Sequence, residues 1–166
     1  MVDTSSAVRR GHPISFGIFT FVAFIVAVIA SVLVTDYNRN NNAPTAGINN
    51  ATRFLLFAGW WGFVVGVAYT ALFLFSIGGV ITSIAGHTIT LFLTWIFWMA
   101  GAAALTDRTG GSFSCSDRGY PYCNSTKALI AFSWIGWIIL TLMLVMVLII
   151  GGGAFRGGRS VKESLA

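Results

Sequence analysis

The residues best suited to chemistry are Cys115 and Cys123, which close the polar segment CSDRGYPYC. The chain has no other cysteines. Metal binding would need two further ligands, and a dithiol redox centre normally has the spacing Cys-x-x-Cys. The Gly119-Tyr120-Pro121 sequence between the cysteines favours a turn. A disulfide is therefore the predicted chemistry, and closing this ring stabilises the loop by about 2.5 kcal/mol.

The two histidines, His12 and His87, are the remaining candidates for metal or acid–base chemistry. His87 lies beside Gly86 and Thr88 near the start of a hydrophobic segment, where its ring can reach the membrane interface. An interfacial or hydrogen-bonded ring is favoured over a catalytic one. The sequence contains no recognisable nucleophile–base pair, carboxylate pair or phosphate-binding loop. We therefore predict no catalytic residue, no metal site, no cofactor and no enzymatic activity.

Composition determines the environment in which these residues lie. Of the 166 residues, 56% are hydrophobic and 9% are charged, and the mean hydropathy is +0.81. Crossing about 30 Å of hydrocarbon takes about 20 helical residues. Four segments meet this requirement: 14–34, 54–75, 80–105 and 128–150. The sequence predicts an all-α integral membrane protein, a four-transmembrane-helix bundle, with membrane lipids and no nucleic acid as partners.

These spans divide the chain into a short N-terminal segment (1–13), a membrane domain (14–150) and a basic tail (151–166). The second and third spans together form 52 uncharged residues, too many for one crossing, so the chain must turn back between them. The best turn is SIGGVITS, whose adjacent glycines permit positive φ. Four spans place both termini on one face and the polar loops 35–53 and 106–127 on the other.

Orientation does not follow from Lys and Arg, because five lie on each side of the membrane. Both N-glycosylation motifs, at Asn50 and Asn124, share the loop side with both cysteines. Disulfides persist on the external or lumenal face, so the termini are predicted to be cytosolic. We expect the nearby membrane to hinder glycosylation. In the cytosolic tail, three cations are expected to lie near anionic headgroups: Arg156, Arg159 and Lys162.

The spans lack the ionisable residues that transporters, pumps and membrane proteases use at mid-depth. This favours a structural or organising protein. The alternative is a small-molecule transporter or a lipid-modifying integral-membrane enzyme with a cavity between its spans. Flux or turnover that is lost when His87 is changed would favour the transporter or enzyme over the organising protein.

Small residues recur at helical spacing in the first two spans and permit close helix contact. They are Ala23, Ala27 and Ser31 in the first span, and Ala58, Gly62 and Gly66 in the second. Packing inside one bundle is the simpler interpretation, and self-association is the alternative. We expect a homo-oligomer or ordered cluster, with the ridge of the second span as its interface.

The tryptophans are predicted to lie in one layer, about 10 to 15 Å below the loop face. They are Trp60, Trp61, Trp95, Trp98, Trp134 and Trp137. Such a layer indicates an aromatic belt or, alternatively, a groove that contacts lipid or sterol. Val34, Tyr37 and Arg39 also match a proposed cholesterol-binding pattern. Phospholipid or sterol is therefore the expected ligand class.

Three segments resemble the MARVEL family of tetraspan membrane proteins, particularly its fungal members. They are TLFLTWIFWMAGAAAL, ALIAFSWIGWIILTLMLVMV after the cysteine loop, and GGGAFRGGR at the start of the tail. The resemblance covers about residues 12–158. It implies cytosolic termini, residence in the plasma membrane or secretory pathway, and organisation of lipid microdomains or membrane apposition without catalysis.

Overall fold

The computed structural model describes residues 4–75, 84–111, 115–119 and 121–156, and side chains for 14–75, 86–111, 115–116, 119 and 121–149. The described elements are all helical: α1 Thr4–Asn40, α2 Ala46–Leu74, α3 Ile84–Thr109, α4 Cys115–Arg118 and α5 Cys123–Arg156. Four segments are long and apolar enough to cross a membrane: Ile14–Asn40, Ala46–Leu74, Gly86–Thr109 and Cys123–Ile149. The predicted four-span helical architecture is confirmed.

Neighbouring long helices run antiparallel. Along α1 and α2, Gly66 approaches Thr20 whereas Gly59 approaches Ala27, so the numbering rises on one helix as it falls on the other. α2 also packs on α3, α3 on α5, and α5 on α1, which closes a ring of four helices. We call the end at which α1 begins and α5 ends the terminal side, and the opposite end the loop side.

The helices extend beyond the predicted spans into both polar loops. α1 continues to Asn40 and ends where Asn41 adopts a left-handed conformation with φ 49°. α2 begins at once, because the Thr45 side chain caps it by accepting a hydrogen bond from the Ile48 N–H at 3.1 Å. The absence of charge marks the depth of the hydrocarbon, whereas capping residues decide where a helix ends.

A capping motif also sets the loop-side end of α3, beyond the end of the predicted span. Gly110 and Gly111 have φ values of 78° and 77°. The Gly110 N–H donates to the Asp107 carbonyl at 3.0 Å, and the Gly111 N–H to the Thr106 carbonyl at 2.9 Å. This Schellman arrangement satisfies carbonyls that the helix leaves unpaired, and it needs glycine because the backbone is left-handed.

Two predicted features lie outside the described residues. The SIGGVITS turn is one of them, although α2 ends and α3 begins on either side of it. The tail beyond Arg156 is the other, and it contains Arg159 and Lys162. Arg156 is the last residue of α5, and its side chain is not described.

Candidate functional site

The two cysteines form a disulfide, as predicted. Their Sγ atoms are 2.10 Å apart and their Cα atoms 5.7 Å apart. The bond joins the short helix α4 to the first residue of α5. Tyr122 precedes Cys123 and has a positive φ of 56°. The disulfide therefore fixes the position of Tyr122 at the loop-side end of the bundle.

The carboxylate of Asp36 connects three parts of the loop side. It accepts hydrogen bonds from Asn40 Nδ2 at 2.6 Å, from Asn42 Nδ2 at 3.0 Å and from the Tyr122 hydroxyl at 3.2 Å. These donors belong to the end of α1, the α1–α2 connection and the disulfide loop. Sequence analysis missed this cluster; the available signal was an isolated acid in the asparagine-rich segment TDYNRNNN.

The hydrogen bond from Tyr122 to Asp36, reinforced by the carboxylate charge, raises the pKa of the Tyr122 phenol above its ordinary value. The phenol donates only while protonated, so this contact is complete below the ordinary value near 10 and is lost as pH rises through the raised pKa. We expect Asp36→Asn to lower that pKa. Phenolate absorbance measures it, with Tyr122→Phe identifying the signal; equal titration of Asp36→Asn and wild type would contradict the prediction.

A groove of about 330 Å³ lies beside this cluster, and we call it the loop-side groove. Its lining residues are Ser31, Val32, Thr35, Asp36, Arg39 and Tyr122. Arg39 is exposed and Val32 is 57% exposed, so the groove combines a charged upper end with an apolar lower end that faces lipid.

The cholesterol pattern is not supported as a lipid contact. Val34 is 8% exposed and Tyr37 is 2% exposed, and both pack inside the bundle. The Tyr37 hydroxyl lies 3.4 Å from Thr126 Oγ1 of α5. Only Arg39 of the three residues faces outward. The prediction failed because a linear pattern ignores which helix face is buried.

The indoles do not form a uniform belt facing lipid. Trp98 is fully buried, Trp60 is 43% exposed, and the other four tryptophans are half-buried. The Trp98 N–H donates to the Ala58 carbonyl at 3.2 Å, and its ring lies 5.2 Å from the Phe19 ring. The predicted lipid contact is therefore wrong for Trp98, whose indole instead occupies the centre of the bundle.

Three other indoles join helices through threonine hydroxyls. Trp61 donates to Thr94 at 3.1 Å, Trp95 to Thr141 at 2.8 Å, and Trp134 to Thr106 at 3.0 Å. Each hydroxyl in turn donates to the carbonyl four residues earlier in its own helix. A hydroxyl can donate once and accept, so both capacities are used. These contacts tie α3 to α2 and to α5.

We expect Thr141→Val to lower the free energy of unfolding by about 0.6 kcal/mol, the average for a hydrogen bond between helices in a membrane. The substitution keeps the side-chain volume but removes the acceptor of the Trp95 N–H. Thr141→Ser should retain more stability because it keeps the hydroxyl. The control is Thr70→Val, since the Thr70 hydroxyl donates within its own helix to Gly66. Equal losses in Thr141→Val and Thr70→Val, in mixed-micelle unfolding, would show that the indole contact contributes nothing.

His87 does not point outward from the bundle, so the interfacial alternative is not supported, and the hydrogen-bonded alternative stays a prediction. Its ring is fully buried among three aromatic rings: Phe16, Tyr69 and Phe73, at centroid distances of 5.3, 4.6 and 5.8 Å. These rings come from α1 and α2, so the imidazole joins three helices near the terminal side. It lines neither the loop-side groove nor the terminal-side groove described next.

The terminal-side groove lies between α1 and α5 and has a volume of about 510 Å³. Its lining is mostly apolar and includes Ile18, Ile139, Leu142, Met143, Met146 and Ile149. Such a surface can accept an acyl chain. Among the described side chains that line it, Ser15 is the one polar residue.

The small-residue ridge of the second span is buried inside the bundle, against α1 and against Trp98 of α3. A Cβ atom at Gly59 would lie 2.8 Å from the Ala27 backbone nitrogen, and a Cβ atom at Gly66 would overlap Thr20. Ala58 and Ala23 are fully buried. The predicted use of the second-span ridge as an oligomer interface is therefore not supported, because α1 and Trp98 of α3 already occupy that surface. Ser31 Oγ also accepts from Trp60 Nε1 at 3.4 Å.

Other predicted sites remain predictions. Asn50 and Asn124 are exposed on α2 and α5, on the loop side that holds the disulfide, and nothing tests their glycosylation. Within the described part of the chain, no three His, Cys, Asp or Glu side chains gather as a metal site requires.

Four antiparallel apolar helices, joined on one side by a disulfide-closed loop, define a tetraspan integral membrane protein. The family model of MARVEL, the membrane-associating domain, matches residues 13–146. The chain therefore belongs to the MARVEL family, as the sequence resemblance predicted. Neither the curated proteins nor the solved structures contain a match to the chain.

Proposed function

We propose that this MARVEL-family chain organises membranes without catalysis, by binding lipid and associating with further copies of itself. The observation that carries the proposal is the character of the described spans: outward faces are apolar, and the buried polar side chains are hydroxyls and indoles bonded within or between helices, together with His87. Organising lipid requires surface and shape, whereas transport or hydrolysis requires fixed charge or a proton acceptor. A turnover or flux abolished by one substitution, with folding and assembly intact, would contradict the proposal.

The interface that we propose for self-association is formed by outward-facing small residues of α3, because the small-residue ridge of α2 is already buried in the bundle. Ala100, Ala103 and Ala104 are all exposed and lie at helical spacing. Helices in lipid associate where small residues let backbones approach, because apolar side chains gain little by leaving lipid. A second copy is therefore proposed to pack on this face of α3.

A double variant, Ala100→Leu with Ala104→Leu, tests the assembly. Native mass spectrometry from mild detergent should give a smaller subunit number than wild type, because the added side chains keep the helices apart. The matched control is Ala131→Leu, at an exposed position of α5 that lies outside the proposed interface. A monomeric wild type would reject self-association, and an unchanged subunit number in the double variant would reject this interface.

The proposed location is the plasma membrane or the secretory pathway, with both termini cytosolic and the basic tail near anionic headgroups. The disulfide on the loop side supports this orientation because such bonds persist in oxidising compartments. In intact cells, an impermeant thiol reagent should label Cys115 and Cys123 only after an impermeant reductant has opened their bond. Labelling that requires permeabilisation would reverse the orientation.

A further inference from the structure

The loop-side groove contains two opposite charges that do not pair with each other. Asp36 and Arg39 both line it, and the described residues place no ion pair between them. We propose that this groove binds one phospholipid of the loop-side leaflet through a zwitterionic headgroup, with its phosphate on Arg39 and its primary ammonium on Asp36. The inference deepens the proposed lipid binding and rests on it.

Arg39 is the loop-side cation best placed for an external anion. It is exposed, and no hydrogen bond or ion pair joins it to another described side chain. Arg53, by contrast, donates to Asn38, and Arg108 lies 3.8 Å from the Asp107 carboxylate. A guanidinium matches the oxygens of a phosphate geometrically as well as by charge.

Asp36 supplies the second charge and limits which lipid headgroups the groove can bind. Its three neutral donors satisfy the carboxylate without cancelling its charge. Oδ1 accepts two of these bonds and Oδ2 one, so Oδ2 keeps acceptor capacity for a further donor. The negative charge of Asp36 would repel a purely anionic headgroup. A primary ammonium can donate a hydrogen bond to it, whereas a quaternary choline cannot.

The lower part of the groove suits the rest of a lipid. Arg39 lies eight residues after Ser31 on α1, or about 12 Å along the helix axis. Over that length the lining changes from a guanidinium to the exposed side chain of Val32. From Arg39 to Val32 the phosphate, glycerol and acyl chain of a phospholipid follow the groove in order, while the headgroup folds back so that its ammonium reaches Asp36, about one turn below Arg39. Because the groove has both a charged and an apolar part, we expect it to bind a lipid and not a soluble phosphate.

The test uses the full chain in mild detergent with equal amounts of phosphatidylethanolamine, phosphatidylcholine and phosphatidylglycerol. Native mass spectra should show phosphatidylethanolamine retained most strongly. Arg39→Gln should lower its retention about tenfold, the effect of losing one charge-assisted hydrogen bond. Asp36→Asn should remove the preference for ethanolamine over choline. The control is Arg53→Gln, which removes a cation from the same face but not from the groove.

Three results would overturn the inference. They are unchanged retention in Arg39→Gln, an equal loss in Arg53→Gln, and retention of phosphatidylglycerol at least as strong as that of phosphatidylethanolamine. Glycerophosphoethanolamine, which carries the headgroup without acyl chains, should fail to displace the lipid; displacement would assign the groove to soluble phosphates. The same spectra report subunit number and total lipid, so loss of selectivity alone would leave the proposed function standing.

Discussion

Replacing Gly136 with alanine should lower the free energy of unfolding by about 3 kcal/mol, at the upper end of ordinary overpacking costs. A Cβ atom there would lie 2.6 Å from Cε3 and 2.8 Å from Cη2 of Trp98. The Trp98 indole cannot move aside, because Phe19 and Gly62 pack against it. Its N–H also donates a hydrogen bond to the Ala58 carbonyl. Unfolding in mixed micelles of increasing SDS content, followed by circular dichroism, measures the loss.

Gly17→Ala is the matched control, since a Cβ atom at Gly17 would have no neighbour within 4 Å. Alanine is also the better helix former, so this variant should be as stable as wild type or slightly more stable. Trp98→Phe provides a second check. If the clash with the indole causes the loss, Gly136→Ala should cost less in the Trp98→Phe background. Equal costs in both backgrounds would contradict the explanation.

The second large effect is expected for Gly59→Leu, which should also lower the free energy of unfolding by about 3 kcal/mol. The atoms nearest to a Cβ at Gly59 are the Ala27 backbone nitrogen at 2.8 Å and Ala27 Cα at 3.0 Å. A backbone cannot rotate away as a side chain can, so α1 and α2 must separate. That separation also removes van der Waals contacts, which hold helices together in lipid.

Comparison with Ala104→Leu separates packing inside the monomer from packing between copies. Ala104 faces outward on α3, so leucine there should leave the unfolding free energy of the monomer nearly unchanged. Gly59→Leu should reduce the monomer's stability even in a detergent that dissociates any assembly. If Gly59→Leu altered subunit number alone, the α1–α2 contact would not be the internal interface that the structure describes.

The sequence was sufficient for the features that depend on solvent and on local chemistry. Long uncharged runs can remain only in lipid, so the four spans and their antiparallel order followed from their length and number. Two cysteines around a turn in a polar segment led to the disulfide between Cys115 and Cys123. Hydropathy did not locate the helix ends, because Thr45, Gly110 and Gly111 set them by capping.

The tertiary structure determined which side chains point into the bundle and which point outward. In water, a helix reveals its buried face by apolar residues that recur every three or four positions, but in lipid the outer face is as apolar as the inner one. The sequence therefore could not distinguish buried Trp98 from exposed Trp60, or show that His87 points into an aromatic cluster. Asp36 and Tyr122, 86 residues apart, meet only because α1 and the disulfide loop end at the same side of the bundle.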